Sequence, residues 1–280
     1  MIYFQFLDIR AYVIAYLIIS FFGLCIGSFL NVCIYRLPRG ESLVKRASHC
    51  TTCGSRIHFY DMVPVFSWLF LKGKCRKCGE PISGRYPLVE SLNWILYLLV
   101  LTFIDVQFYP AQAVLTALFF SVLVVIAFID YDTMEIHVSQ LVLILIIAAA
   151  SQILSYFMDF GITLSQRIIG ALCISIPFFI IGEISAVYIK KKTGERYRGI
   201  ELGDTFLMLC SGLVIGTKCI IVSAFAGIFI AAVIGLINKA RGKDSKFAFG
   251  PYLAAGLVIG TLWGNQISDW YLSLFSYSQF

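Results

Sequence analysis

The sequence predicts an all-α polytopic membrane protein of about eight transmembrane helices, with a small cysteine-bearing soluble insert between the first two. Three observations carry this. Hydrophobic residues make up 59% of the chain and charged residues only 14%, with a mean hydropathy of +0.85; a water-soluble domain of this length cannot hide so much apolar surface. The apolar residues fall in runs near the ~20 residues that a helix needs to cross a bilayer. The basic residues gather in alternate connections between those runs.

The runs cover 11–35, 88–104, 110–129, 138–157, 166–189, 219–237 and 250–265, with a shorter one at 204–217. Lys218 is the only strong punctuation between the runs at 204–217 and 219–237, and the count falls to seven if they fuse. Lysine and arginine resist translocation and collect on the cytoplasmic side. Nineteen of the 22 lie in loops of one parity: 36–87 (including Arg46), Lys190 to Arg198 (including Arg196), and Lys239 to Lys246 (including Lys243). Only Arg10, Arg167 and Lys218 lie elsewhere. The 36–87 loop is therefore expected in the cytoplasm and both termini outside it. Topology also explains the net charge of +6, and no nucleic-acid module is present to claim it. Met1-Ile2-Tyr3-Phe4 offers no basic n-region and no small-residue cleavage site follows the first span, so no cleavable signal peptide is expected. The chain thus divides into a first span (1–35), the loop (36–87), a transmembrane core (88–265) and an extracytoplasmic tail (266–280). In the tail Trp270, Tyr271, Phe275, Tyr277 and Phe280 suit an interfacial belt.

Within the loop, Cys50, Cys53, Cys75 and Cys78 form two Cys-x-x-Cys pairs. Each pair can make a tight knuckle supplying two tetrahedral ligands, the pattern of a four-thiolate zinc site. Two disulfides are the alternative in an oxidising compartment; the cytoplasmic placement keeps thiols reduced and favours zinc. A segment this small holds no large core, so metal ligation would supply much of its folding free energy. Cys25, Cys33, Cys173, Cys210 and Cys219 lie in apolar contexts and are expected to pack as small hydrophobes.

A carboxylate at membrane depth is costly and faces a polar cavity or a partner. Asp130 closes the apolar run from Ser121 to Ile129, and Asp204 opens the run from Thr205 to Leu209. Charge topology puts both at cytoplasmic ends of spans, in one water-accessible layer. Two adjacent carboxylates share a proton, so one can activate water while the other polarises a carbonyl. Position alone leaves helix capping open for each. His137, seven residues from Asp130, would share its face on a helical path, or simply begin the next helix. Asp132 is read as polar support or an N-cap, Glu90 as a cap or a substrate-amine ligand, and Arg36 as an anchor for headgroups or an acidic substrate group.

Four blocks carry a family resemblance: Gly27-Ser28-Phe29-Leu30-Asn31-Val32 running on to Tyr35-Arg36-Leu37-Pro38; the tetracysteine loop with Pro64, Ser67-Trp68, Leu71, Gly73 and Arg85-Tyr86-Pro87-Leu88-Val89-Glu90; Asp130 with Asp132-Thr133-Met134; and Gly203-Asp204. In order and spacing these resemble the type IV prepilin peptidases, intramembrane aspartyl proteases that cut prepilin leaders at the cytoplasmic membrane face. The resemblance implies Asp130 and Asp204 as the catalytic dyad, a prepilin or pseudopilin helix as substrate, and the inner membrane as location. It also implies N-methylation of the new N-terminus by the loop, with S-adenosylmethionine as donor; no Gly-x-G-x-x-G-type cofactor turn supports that independently. The departures fall near the chemistry. Glu201 stands where the family has glycine, Phe206 where lysine is common, and Ile136-His137-Val138 where Ile-Pro-Asp is usual. A proton-coupled transporter using the two acids, or an inactive assembly scaffold, are the rival readings.

Overall fold

The computed structural model describes residues 9–45, 47–104, 106, 108–158, 161–194, 197–242 and 248–276. Arg46, Arg196, Lys243, Lys246, Tyr277, Phe280 and the stretch from Met1 to Phe4, invoked above, lie outside the described residues. The regular elements are α1 (Ile9–Arg36), α2 (Phe66–Phe70), α3 (Arg85–Phe103), α4 (Pro110–Thr133), α5 (Val138–Met158), α6 (Leu164–Thr193), α7 (Leu202–Ala240) and α8 (Gly250–Ser276). Two short 3₁₀ turns, Leu37–Arg39 and Phe59–Met62, lie in the loop. Among the described residues there is no strand beyond two isolated bridges. Among the described residues, six helices are long and apolar enough to cross a membrane: α1 and α3 to α7. Helix α3 begins at Arg85, earlier than expected, and α8 runs on through most of the tail.

The chain forms two compact units, Met1–Val125 and Ile126–Phe280. In the first, α1 and α3 pack backbone to backbone. A Cβ on Gly27 would lie 2.8 Å from Glu90 Cα, and one on Gly23 3.1 Å from Trp94 Cα. Small residues at such contacts let helices approach where lipid supplies no hydrophobic drive. Polar side chains then join them: Asn93 Nδ2 donates to Gly23 O at 2.8 Å and Ser121 Oγ to Asn93 Oδ1 at 2.9 Å. Asn31 Nδ2 donates to Tyr86 O at 3.1 Å, so the Gly27 to Asn31 block is the seam of this unit.

In the second unit, α7 is broken at Gly216, whose φ of 74° and ψ of −178° suit glycine and interrupt the helix. The arm 202–215 packs against α6, with Gly170 and Gly212 in backbone contact. The arm from 217 onward packs against α8, where Lys218 Nζ meets Asp269 Oδ1 at 2.6 Å and Gly227 meets Leu253. Lys218 thus lies toward the C-terminal part of α8, whereas Asp204, through Asp130, lies at its start. The chain therefore doubles back at Gly216, and the two expected runs, 204–217 and 219–237, are its two arms. The boundary is set by glycine rather than by Lys218.

A reversal strands the last carbonyls of the first arm. Arg167, 3% exposed, meets them: Nη1 donates to Leu213 O at 2.7 Å and Val214 O at 3.0 Å. Its Nη2 donates to Ser151 Oγ at 2.9 Å and Ser155 Oγ at 3.2 Å on α5. Hydrogen bonds to a charged group contribute about 1.5–3 kcal/mol each. Arg167→Leu should therefore destabilise the protein by at least ~3 kcal/mol, read as a lower unfolding temperature in detergent, while Arg10→Leu, on an exposed residue, leaves it unchanged.

Candidate active site

Asp130 sits in the last turn of α4 and Asp204 in the first turn of α7. Both are 5% exposed. The charge of Asp130 acts on Asp204, and Glu201 acts on both. The structure thus brings together two acids 74 positions apart in the sequence. Each carboxylate is held by a backbone N–H. Gly250 N donates to Asp130 Oδ2 at 2.8 Å, and Glu201 N donates to Asp204 Oδ2 at 3.3 Å. The second contact is half of a capping arrangement, with Glu201 at the N-cap and Asp204 at N3. Gly203 lies against the Ile136 side chain, where a Cβ would come within 3.1 Å. A depression of about 340 Å³ beside Asp204 is lined by Tyr197, Arg198, Glu201 and Leu202. Arg198 pairs with Glu183 there. Burial first, then the charges of Glu201 and Asp204, push the Tyr197 phenol up.

The loop of the first unit brings Cys50, Cys53, Cys75 and Cys78 into one cluster, all four sulfurs lying within 4.8 Å of one another. None is in a disulfide. The two pairs repeat one local geometry. Gly54 N donates to Cys50 O and Gly79 N to Cys75 O, both at 2.9 Å, and Gly54 and Gly79 adopt φ of 67° and 74°, which glycine reaches without strain. A tetrahedral ion with bonds of about 2.3 Å sets its sulfurs about 3.8 Å apart; Cys50 Sγ and Cys78 Sγ are 3.9 Å apart. The Ser55 hydroxyl lowers Cys53 to about 6, and the N–H groups of Cys78 and Lys77 lower Cys75. At Cys78 an N–H bond from Glu80 is outweighed by desolvation and by the other three sulfurs, which push the thiol up to about 12. Sulfurs this close repel once ionised, and a dication removes the conflict. The cluster fits zinc.

Several residues stand elsewhere than expected. Glu90 is in the second turn of α3, not at its cap, and its Oε2 accepts from Val65 N at 2.6 Å. It ties the loop to the helix and is 7% exposed, so it is not presented to a substrate amine. Arg36 is also buried, with Nη1 donating to Ser42 O at 3.0 Å and Leu43 O at 3.2 Å; it staples the loop instead of reaching headgroups. Helix α4 ends at Thr133 and Met134 has φ of 54°, so His137 leaves Asp130's helical face and immediately precedes α5. Asp132 is exposed in the last turn of α4 and is no N-cap. The interaction that sequence reasoning missed is the one from Gly250. Its only signal was Gly250-Pro251 at the start of the last apolar run, a proline in the first turn marking a helix start.

Residues 21–104 match the model of the bacterial peptidase A24 N-terminal domain, and residues 117–236 that of the type IV leader peptidase family. A prepilin leader peptidase/N-methyltransferase of Aeromonas hydrophila is 33% identical, covering 92% of this chain and 94% of its own. One of Bacillus subtilis is 28% identical over 92% and 98%. The type 4 prepilin-like proteins leader peptide-processing enzyme of Escherichia coli is 30% identical over 84% and 88%. No solved structure matches significantly.

Proposed function

Because the chain belongs to the type IV leader peptidase family, we propose that Asp130 and Asp204 are the aspartyl dyad of a multi-pass inner-membrane prepilin peptidase. The observation that carries the assignment is the burial of both acids, with the charge of Asp130 acting on Asp204. An isolated cap would need no second acid. The ionised aspartate takes a proton from water as the water oxygen adds to the scissile carbonyl carbon, and the protonated one gives its proton to the carbonyl oxygen. The resulting gem-diol collapses when the aspartate that took the proton delivers it to the amide nitrogen. The C–N bond breaks, and a diol hydroxyl returns a proton to the other aspartate, so charge and atoms balance over the cycle.

The substrate is a prepilin or pseudopilin, and the cleaved bond lies at the cytoplasmic membrane face. The cysteine loop faces the cytoplasm and both termini lie outside it, on the strength of the nineteen basic residues in loops of one parity. Zinc held by Cys50, Cys53, Cys75 and Cys78 is structural: four thiolates close the coordination sphere and leave no open position for chemistry. The enzyme's second activity methylates the newly exposed amine, a reaction for which S-adenosylmethionine would be the donor. The loop's left-handed glycines are committed elsewhere, Gly54 and Gly79 to the knuckles, Gly40 to the first 3₁₀ turn and Gly73 beneath the Trp68 ring. They form no cradle for that donor.

The test is reconstitution in vesicles with a prepilin-type peptide. Release of the leader, read by mass spectrometry, is expected. Proton flux with no cleavage would favour the transporter, and neither activity the scaffold.

A further inference from the structure

Resting on the dyad reading above, we infer that Gly250 is a positioning residue for catalysis: the first N–H of α8 holds Asp130 as the partner that takes the proton from water, which leaves Asp204 as the one that protonates the carbonyl oxygen. The contact joins α4 to α8 across 120 positions of sequence. Since α8 packs along the second arm of α7, it also ties Asp130 to the helix pair that carries Asp204.

The donor is available because of where it stands. The N–H groups of Tyr252 and Leu253 return to Phe249 O, whereas the N–H of Gly250, in the first turn, has no acceptor within its own helix. It points at Oδ2 of Asp130 instead, at 2.8 Å. An N–H can only donate, and it stabilises a carboxylate oxygen more than a neutral carboxyl oxygen, as does the positive end of α8. Asp204 also stands at a helix N-terminus, that of α7, but is held more loosely, at 3.3 Å from Glu201 N. This difference in hydrogen-bond length divides the roles of the two acids.

The space is equally restrictive. A Cβ on Gly250 would lie 2.7 Å from Oδ2, 2.9 Å from Cγ and 3.1 Å from Cβ of Asp130. Any other residue must move the carboxylate or the helix. A bare cap for α8 would need the same bond but would not care about the carboxylate's exact reach toward Asp204.

Two variants separate these demands. Gly250→Ala adds bulk and keeps the N–H. Glycolic acid at position 250, introduced by stop-codon suppression, replaces the N–H by an ester oxygen and adds no bulk. In vesicles with a prepilin-type peptide, each is expected to lower kcat on the order of 10- to 100-fold, since small misplacements cost this much, with KM within about twofold and the protein still folded at the assay temperature. Wild-type kcat in the ester variant overturns the inference. So does a loss that appears only in KM, or only as loss of folded protein in both variants, because the contact would then be structural. Asp130→Asn and Asp204→Asn run in parallel. If they still cleave, the dyad reading itself fails; if they are inactive while the ester variant is unimpaired, only the role of Gly250 falls.

Discussion

Asp130→Asn and Asp204→Asn each yield a folded protein whose cleavage of a prepilin-type peptide falls by at least ~10³-fold, the scale expected when general acid–base transfer is removed. Asparagine keeps the shape and can still accept the N–H of Gly250 or Glu201, so membrane abundance and unfolding temperature should hold. It cannot carry the shared proton. Because the acids act as a unit, the double variant should be no slower than the single ones. Initial rates in vesicles at matched protein amounts check this, and substantial turnover in either single variant excludes the dyad. Asp132→Asn, exposed one turn-end away, should stay within about twofold of wild type, as surface substitutions usually do.

Cys50→Ser and Cys75→Ser should each release the metal and unfold the loop. Structural zinc contributes about 10–16 kcal/mol in small thiolate sites, far more than a segment with so little core can replace. The purified wild-type protein is expected to hold one equivalent of zinc by elemental analysis, and the variants close to none. Limited proteolysis should then cut between 47 and 82 in the variants and after strong chelation, while the wild type resists. Methylation of the cleaved product should be lost with the fold of the loop. Cleavage should fall less, because the acids belong to the second compact unit. Cys173→Ser, distant from the cluster in sequence and apolar in context, serves as the control.

Much of this architecture was legible in the chain because its signals are local. Apolar runs report spans wherever a polar connection follows, and the Cys-x-x-Cys spacing reports a knuckle because four residues are enough to build one. The cluster geometry at Cys50, Cys53, Cys75 and Cys78 agrees with that reading. The proximity of Asp130 and Asp204 could be argued from charge topology and family resemblance, since each closes or opens an apolar run. What stayed hidden depends on pairs that local pattern does not record. Glu90 and Arg36 looked like free charged groups at a membrane edge, yet backbone groups of the loop take both up. His137 looked helical with Asp130 until the left-handed Met134 turned the chain away. Gly216 and Gly250 carry no side chain to announce them; the one matters for its φ, the other for a donor and an empty space.

The helical reversal at Gly216 also sets a depth. The arm from 202 to 215 spans roughly 21 Å at about 1.5 Å per residue, well short of the ~30 Å hydrocarbon slab. A segment too short for its surroundings thins the lipid around it. The leaflets should dimple beside Asp204, bringing hydration to a peptide bond that would otherwise lie in oil. Turnover should accordingly decline as vesicles are made from lipids with longer acyl tails.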